Sequence, residues 1–167
     1  MHILILPSWY PESSKSIKGV FFRDQAIALQ KFGHKVGVIS PQLKSLNKIF
    51  KLDHIKKLPF FENDNGILTY RIQRYAMLPK IPYGNYWIFK SIAEKILERY
   101  IEDNGLPDII HGHSAIYGGV VAMEIADRLK IPYVITEHNT GFVRKAFAHR
   151  QLKIAENSFA NADSCIA

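Results

Sequence analysis

Apolar residues follow two alternating patterns along this chain. Short apolar runs, typical of buried strands, occupy residues 2–6, 35–40, 108–111 and 133–136, and residues 67–75 alternate between apolar and polar side chains like a strand. The stretches between them carry apolar residues every three or four positions, which is typical of helices packed by one face. These helical stretches cover residues 19–33, 89–104, 122–129 and, less regularly, 142–160. The chain therefore begins with a strand, a helix and a second strand, and the later elements continue the alternation.

This alternation predicts the fold class. Parallel strands can be joined only by crossover connections, and helices of this length supply them. The expected architecture is α/β, with a Rossmann-like, doubly wound parallel sheet and helices on both faces, formed as one domain by residues 1–167. Such sheets bind ligands beyond the carboxyl ends of their strands. Residues that directly follow a strand are therefore the first candidates for a functional site.

Three stretches fit the pattern less well. Residues 43–61 interleave lysines with leucine, isoleucine and phenylalanine, which fits a lysine-rich helix packed on the sheet or an amphipathic segment at an anionic membrane. Residues 78–86 contain two prolines and a glycine and are predicted to form a loop. Residues 162–167 look like the opening of a further buried strand, so we expect the chain to be part of a longer protein.

Composition narrows the class of protein. With 167 residues, 47% hydrophobic and 22% charged, the chain is expected to form one globular unit. Cys165 is its only cysteine, and the apolar start lacks the basic leader and the length of a signal peptide or membrane span, so we expect a cytoplasmic protein. The net charge of +7 favours an anionic partner, such as nucleotide phosphate, lipid head groups or nucleic acid, or serves solubility alone.

A polar turn that ends in glycine follows the first strand. Residues 13–19 (SSKSIKG) precede a helix, whose free N-terminal amides can hold an anion together with Gly19 and either Lys15 or Lys18. An exposed polar loop with a helix-starting glycine explains the same residues equally well. The turn has neither the G-x-G-x-x-G pattern of dinucleotide-binding proteins nor a Walker phosphate loop, which disfavours nicotinamide enzymes and ordinary ATPases.

Two histidines lie at the end of the strand near residue 110, in the sequence His111-Gly112-His113-Ser114. Alternate residues of a strand point the same way, so both rings should lie on one face. With His138 they suit a metal site; alternatively His111 is buried and hydrogen-bonded while His113 lines a cleft. A histidine beside small residues can also donate a hydrogen bond to a hydroxyl or phosphate oxygen, which suits carbohydrate recognition.

A second polar group follows the next strand. Thr136, Glu137, His138 and Asn139 all carry hydrogen-bonding side chains, and their place at the carboxyl edge predicts the lip of a substrate pocket. Each one alone also fits a turn or a helix cap. Arg144 falls in the first turn of the predicted last helix, where it either faces a phosphate of the substrate or is solvated.

Three stretches together resemble a known family. They are KGVFFRDQAIALQKFGHKVGVISP, PDIIHGHSAIYGGVVAMEIADRLKIPYVITEHN and ANADSCIA. The combined pattern is similar to the N-terminal, acceptor-side domain of a family 4 glycosyltransferase of the GT-B fold, a group of retaining enzymes that use nucleotide-activated sugars. The resemblance runs from the first turn to residue 167 and leaves residues 43–86 as the variable part.

The resemblance implies a function and roles for particular residues. Such enzymes hold the nucleotide-sugar donor mainly on a C-terminal domain, and a saccharide or lipid-linked acceptor on the N-terminal one. We therefore expect a hexosyltransferase of cell-surface polysaccharide synthesis that is inactive without its C-terminal domain. Where the acceptor is lipid-linked, we expect the protein to contact the inner face of the membrane peripherally.

By position, Gly19 corresponds to the first-turn glycine near the donor diphosphate, with Lys18 where the family often has a second glycine. His113 corresponds to the catalytic histidine that faces the transferred sugar, and His138 and Asn139 line the acceptor side. Neither a metal nor a cofactor is implied, since the nucleotide sugar is a co-substrate.

Two other classes of protein compete with this interpretation. A metal-dependent hydrolase would use His111, His113 and His138 as ligands and would carry a stoichiometric divalent ion. A basic nucleic-acid-binding protein would show steeply salt-dependent affinity for DNA or RNA. The sequence contains no recognition motif of that kind, so no nucleic acid partner is expected.

Overall fold

The computed structural model contains seven strands and four helices within the residues it describes, which are 1–13, 16–45, 60–77 and 83–167. In chain order they are β1 (His2–Pro7), α1 (Val20–Lys31), β2 (Lys35–Lys44), β3 (Phe60–Asp64), β4 (Ile67–Tyr75), α2 (Gly84–Asn104), β5 (Ile109–His113), α3 (Val120–Leu129), β6 (Tyr133–Thr136), α4 (His149–Ala160) and β7 (Ser164–Ile166). A short, irregular helical turn, Ala115–Gly119, joins β5 to α3.

The strands form one sheet in the order β3-β4-β2-β1-β5-β6-β7. Neighbouring strands pair in parallel except β3, which runs antiparallel to β4 at one edge. The chain builds outward from β1 to β2 and β4, and then returns through α2 to β5 on the other side of β1. Strand order therefore reverses between β1 and β5, and doubly wound sheets bind ligands at such a reversal. The predicted Rossmann-like α/β class is confirmed.

Alternate residues of β1 divide the core into two layers. Ile3 and Ile5 pack with Phe22 of α1 on one face of the sheet. Leu4 and Leu6 pack on the other face, in a larger cluster with apolar side chains of α2 and α3. Both layers exclude water from β1, which explains why the first strand is apolar at every position from 3 to 6.

A buried ionic network fixes the loop after β1 to the strands β3 and β4 at one edge of the sheet. Arg71 of β4 is fully buried and donates hydrogen bonds to the carboxylates of Glu62 and Asp64 and to the carbonyl oxygen of Pro11. Arg23 of α1 donates to the other oxygen of Asp64 at 3.2 Å. The charges thus meet partners of opposite sign, which buried charges require. The network therefore holds together α1, β4 and the loop that leads to Gly19.

Several element boundaries differ from those that the sequence pattern predicts. β2 continues beyond residue 40 to Lys44, and the pattern does not predict β3 at all. α2 begins at Gly84, inside the stretch 78–86 that was expected to be a loop. β7 forms where a strand is predicted, but its three residues are exposed at the sheet edge rather than buried. Most of the lysine-rich stretch, residues 46–59, and residues 78–82 lie outside the described residues.

The last helix begins later than predicted. Residues 140–145 form hydrogen-bonded turns instead, with the Arg144 N–H donating to the carbonyl oxygen of Thr140 at 3.0 Å. The rings of Phe142 and Phe147 contact each other, with centroids 4.8 Å apart. Apolar residues that suggested a helical face therefore pack on one another in a turn, and α4 begins only at His149. Among the described helices, none combines the length and the apolar character that a membrane span requires.

Candidate functional site

Three histidine rings meet at the carboxyl ends of β5 and β6. The rings of His111 and His113 lie on the same face of β5 with centroids 4.2 Å apart, as the strand period predicts. His138, beyond the end of β6, brings its ring to 5.7 Å from that of His113. His111 is held in place because its Nε2 shares a hydrogen bond of 2.7 Å with the hydroxyl oxygen of Thr136. Two adjacent strand ends thus assemble the cluster.

His113 is the unsatisfied member of this cluster. It is fully buried, and neither ring nitrogen has a hydrogen-bond partner among the described residues. The hydroxyl of the next residue, Ser114, is likewise buried and lacks a partner within that part of the chain. Buried polar atoms in folded proteins are nearly always hydrogen-bonded, so three orphan atoms at one strand end mark a position suited to a ligand.

Phe22 covers His113 from the α1 side. Its ring lies edge-on at 5.0 Å from the ring of His113 and at 5.3 Å from that of His138. Gly19 precedes α1 with φ of 78°, and a Cβ at this position would lie 3.4 Å from the Phe22 ring and 3.1 Å from that of Trp9. The structure therefore brings three residues singled out in the sequence, Gly19, His113 and His138, against one aromatic ring.

Burial keeps the rings of His111 and His113 neutral. It lowers the pKa of His111 to about 4, with a further contribution from the charge of His138. Burial, followed by the charges of His111 and His138, holds the pKa of His113 well below its ordinary value. Partial desolvation also lowers the pKa of His138, an exposed residue, against the opposing effect of the Glu137 carboxylate. At neutral pH each ring therefore offers one N–H donor and one acceptor nitrogen instead of a positive charge.

The loop after β1 and the turn after β5 are bonded to each other where strand order reverses. The backbone N–H of Ser8 donates to the carbonyl oxygen of His113 at 2.9 Å. The Ser8 hydroxyl donates a hydrogen bond to the carbonyl oxygen of Ser114 and accepts one from the N–H of Gly118, both at 2.8 Å. A Cβ on Gly118 would lie only 2.7 Å from the carbonyl oxygen of Leu6. The backbone segments therefore approach each other so closely that position 118 has no room for a side chain.

Glu137 and Asn139, predicted to bind substrate, direct their side-chain oxygens to the backbone. The Glu137 carboxylate accepts the N–H of Ala115 at 2.8 Å and also that of Asn139. The side-chain oxygen of Asn139 accepts the N–H of Gly141 at 2.8 Å. These bonds shape the lip beside His138, and direct contact of either side chain with a substrate stays a prediction.

Lys18 and Arg144, two of the cationic residues singled out in the sequence, are both exposed, and the third, Lys15, lies outside the described residues. Arg144 belongs to the turns at 140–145 and not to a helix, so no helix dipole opposes its charge. Lys18 directly precedes Gly19 and lines a pocket beside the histidine cluster. Contact of either residue with a phosphate stays a prediction.

This pocket, which we call the rim pocket, is not indicated by the sequence pattern. It has a volume of about 260 Å³ and lies between the loop after β1, the end of β2 and the turn after β5. The aromatic residues Trp9 and Tyr117 and the buried amide Gln42 contribute to its walls. The residue in the sequence that could have indicated this pocket is Gln42. It is a polar residue in the part of β2 that extends toward the sheet edge where ligands bind.

The metal-centre interpretation of the histidines finds no support in this geometry. In the described ranges, no three His, Cys, Asp or Glu side chains lie together in a group that could hold a metal ion. The Nε2 of His111 is engaged with Thr136. Within the described part of the chain, the three histidines are therefore not arranged as the ligand set that a metal-dependent hydrolase would need.

Comparison with known proteins agrees with the architecture. Residues 19–167 match the family model described as Glycosyltransferase Family 4. Over 146 residues the chain is 31% identical to the "Putative teichuronic acid biosynthesis glycosyltransferase TuaC" of Bacillus subtilis (strain 168). The alignment covers 84% of this chain and 36% of that protein, so the chain spans little more than a third of its relative. The chain belongs to glycosyltransferase family 4, and its Rossmann-like sheet is the N-terminal half of a GT-B fold.

Proposed function

We propose that this chain is the acceptor-binding half of a retaining glycosyltransferase. The full-length enzyme transfers a hexosyl group from a nucleotide sugar to a saccharide or lipid-linked acceptor in the synthesis of a cell-surface polysaccharide. Family membership supports glycosyl transfer, and the printed name of the B. subtilis relative, which refers to teichuronic acid biosynthesis, supports the polysaccharide. The observation that carries the proposal is His113, buried and neutral, with two unsatisfied ring nitrogens where strand order reverses.

We assign the binding of the transferred sugar to His113. A neutral imidazole can donate one hydrogen bond to a sugar hydroxyl while its other nitrogen accepts one. Because the ring is buried, such a bond is stronger than in water, and His111 and Phe22 hold the ring in a fixed position. His113 therefore acts by orienting the sugar, which contributes to catalysis through placement of the reacting atoms.

We assign the stabilisation of the leaving diphosphate to the N-terminus of α1. Gly19 occupies the position before Val20, and the first turn of α1 carries no acidic residue. The N–H groups of Val20 and Phe22 donate to the carbonyl oxygens of Ile17 and Gly19, both at 3.1 Å. The helix dipole and the other amides at this end favour the negative charge that develops as the donor diphosphate departs. The remaining donor contacts come from the C-terminal domain. In the retaining reaction, the acceptor hydroxyl attacks the face from which the diphosphate leaves, so the product keeps the anomeric configuration of the donor.

Substitution of His113 in the full-length protein tests this function. His113→Ala is expected to lower transfer from a panel of uridine, guanosine and adenosine diphosphate sugars by about a hundredfold, the usual effect of removing one positioned donor. Far-ultraviolet circular dichroism should stay that of the wild type. His149→Ala, which removes an exposed histidine at the start of α4, is the matched control and should keep full activity. Wild-type turnover by His113→Ala would exclude His113 from the reaction.

A further inference from the structure

We propose that the side chains of His138 and Phe21 form a lid over His113, and that this lid must swing outward before a sugar can reach the ring. The inference rests on the proposed transferase function and adds to it a conformational step. It depends on three features of the structure: the closed surroundings of His113, the fixed position of its inner neighbours and the exposed position of the lid.

His113 is closed off from solvent. The residue is 0% exposed, and both ring nitrogens are buried without a hydrogen-bond partner among the described residues. A sugar hydroxyl must come within about 3 Å of one of these nitrogens to form a hydrogen bond. Since solvent does not reach the ring, a sugar does not reach it either while the neighbouring side chains are packed in this way. At least one neighbour therefore has to move.

Two of the neighbouring rings are fixed. The ring of His111, with its centroid 4.2 Å from that of His113, is buried and shares a hydrogen bond of 2.7 Å with Thr136. The ring of Phe22, 5.0 Å from that of His113, is fully buried and packs in the apolar cluster between α1 and the sheet. Displacing either ring would break a buried hydrogen bond or leave a cavity in the core, and both changes are costly. Access to His113 therefore does not open on these sides.

The third neighbouring ring, that of His138, belongs to an exposed residue. Its centroid lies 5.7 Å from that of His113, at the lip beyond β6. Phe21, in the first turn of α1, is 40% exposed and contacts the ring of His138, with the two centroids 4.9 Å apart. Exposed side chains change rotamer on the picosecond-to-nanosecond timescale, and the packing of two rings is a weak restraint. His138 and Phe21 are therefore the side chains that can move aside.

The motion is confined to side chains because the backbone around His138 is anchored. The Glu137 N–H donates to the carbonyl oxygen of Ile166 at 2.8 Å. The Glu137 carboxylate accepts the N–H of Ala115 at 2.8 Å and also that of Asn139. The lip therefore stays in place while the ring of His138 turns away. Once the sugar has entered, the same ring closes behind it and excludes water from the reaction centre.

Chemical labelling of the full-length protein without any substrate tests the lid. Diethyl pyrocarbonate acylates neutral imidazole nitrogens that it can reach, and the lowered pKa of His113 keeps its ring neutral at pH 7. Peptide mass spectrometry would give the labelling rates at His113, at the buried His111 and at the exposed His149. In the wild type, His113 is expected to react at least about tenfold more slowly than His149, since it reacts only while the lid is open. Equal rates at His113 and His149 would overturn the proposal.

Removal of the lid should speed up this reaction. In the double variant Phe21→Ala/His138→Ala, the ratio of the labelling rate at His113 to that at His111 is expected to rise about tenfold, because ring contacts of this kind hold the lid closed. The single variants should show smaller increases in the same ratio. His111 as the reference separates opening of the lid from unfolding, which would expose both histidines. An unchanged ratio in the double variant would also overturn the proposal.

Phe32→Ala is the matched control. It removes an 82% exposed phenylalanine at the other end of α1 and should leave the ratio at its wild-type value. A rise in this variant equal to that in the double variant would count against the lid. The labelling requires neither donor nor acceptor, so its outcome is independent of the transfer activity of His113→Ala. Failure of the lid leaves the assignment of His113 in place, and wild-type turnover by His113→Ala leaves the labelling result unchanged.

Discussion

The ring of Phe22 lies edge-on against the ring of His113, with the two centroids 5.0 Å apart. Phe22 also belongs to the apolar cluster that α1 forms with Ile3, Ile5 and Val38 of the sheet. One side chain thus completes a core layer and covers the histidine assigned to the transferred sugar. The stability of the domain and the environment of His113 are therefore coupled.

Phe22→Ala tests this coupling. Loss of a fully buried phenylalanine is expected to lower the free energy of unfolding by about 3–5 kcal/mol, as measured by urea denaturation. The same change opens His113 to water, so its pKa should rise toward the ordinary histidine value in an NMR titration. Phe32→Ala is the control, since Phe32 is 82% exposed and its removal should change stability by less than about 0.5 kcal/mol. An unchanged pKa of His113 in Phe22→Ala would refute the covering role.

Acidification is expected to destabilise the domain through His111. Burial lowers the pKa of His111 to about 4 in the folded state, from 6.5 in the unfolded chain. Between these two pH values the unfolded state binds more protons, so the free energy of unfolding falls as pH drops through this window. The fall from this group reaches at most about 1.4 kcal/mol per pH unit and ends below about pH 4, where both states are protonated. His113, whose pKa is also lowered, acts in the same direction.

Urea denaturation at pH 7, 6 and 5 measures this dependence. His111→Gln keeps a hydrogen-bonding side chain for Thr136 but cannot titrate, so its stability should vary less with pH than that of the wild type. Phe32→Ala, which removes an exposed side chain that does not titrate, should leave the dependence unchanged. Identical pH profiles for the wild type and His111→Gln would show that His111 is not the group responsible.

Asp64→Ala tests the buried ionic network. Asp64 accepts hydrogen bonds from Arg71 and Arg23, each at 3.2 Å, and Arg71 is fully buried. Removing the shared carboxylate leaves buried positive charge without this partner, which is expected to lower the free energy of unfolding by about 3–5 kcal/mol.

A surface ion pair provides the contrast. Asp127 pairs with Lys130 on α3 at 2.9 Å, and both side chains are largely exposed. Asp127→Ala is therefore expected to change stability by less than about 0.5 kcal/mol in the same denaturation experiment. Comparable losses in the two variants would mean that burial does not determine the contribution of the Asp64 pairs.

Hydrophobic periodicity predicts the buried elements and misses the elements that water reaches. β1 and β6 are largely apolar because both faces of the sheet are covered there, so their sequences report their burial. β3 is an edge strand in which only Asp64 is buried, and its sequence FFEND has no strand pattern. The signal for it was the pair Asn65-Gly66, whose φ values of 55° and 92° form the tight turn of a β-hairpin.

The site was predictable only in part, for a related reason. The position of the histidines could be predicted because they lie at strand ends, and the carboxyl ends of parallel strands meet at one edge of the sheet. The rim pocket combines the loop after β1, the end of β2 and the turn after β5, and no local pattern reports that they meet. Glu137 and Asn139 illustrate a second limit: their residue types are equally suited to a ligand and to the backbone amides that they bind.

The missing space at Gly118 constrains how enzymes built on this fold can diverge. A methyl group there would meet the carbonyl oxygen of Leu6 at 2.7 Å and the backbone nitrogen of Ser8 at 2.8 Å, so any substitution must push the turn after β5 away from the end of β1 and the loop that follows it. This shift would displace Ser8 from its three hydrogen-bond partners, His113, Ser114 and Gly118, and would disturb the backbone beside the ring of His113. Sequence divergence is therefore expected among residues around the rim pocket, while glycine is retained at position 118.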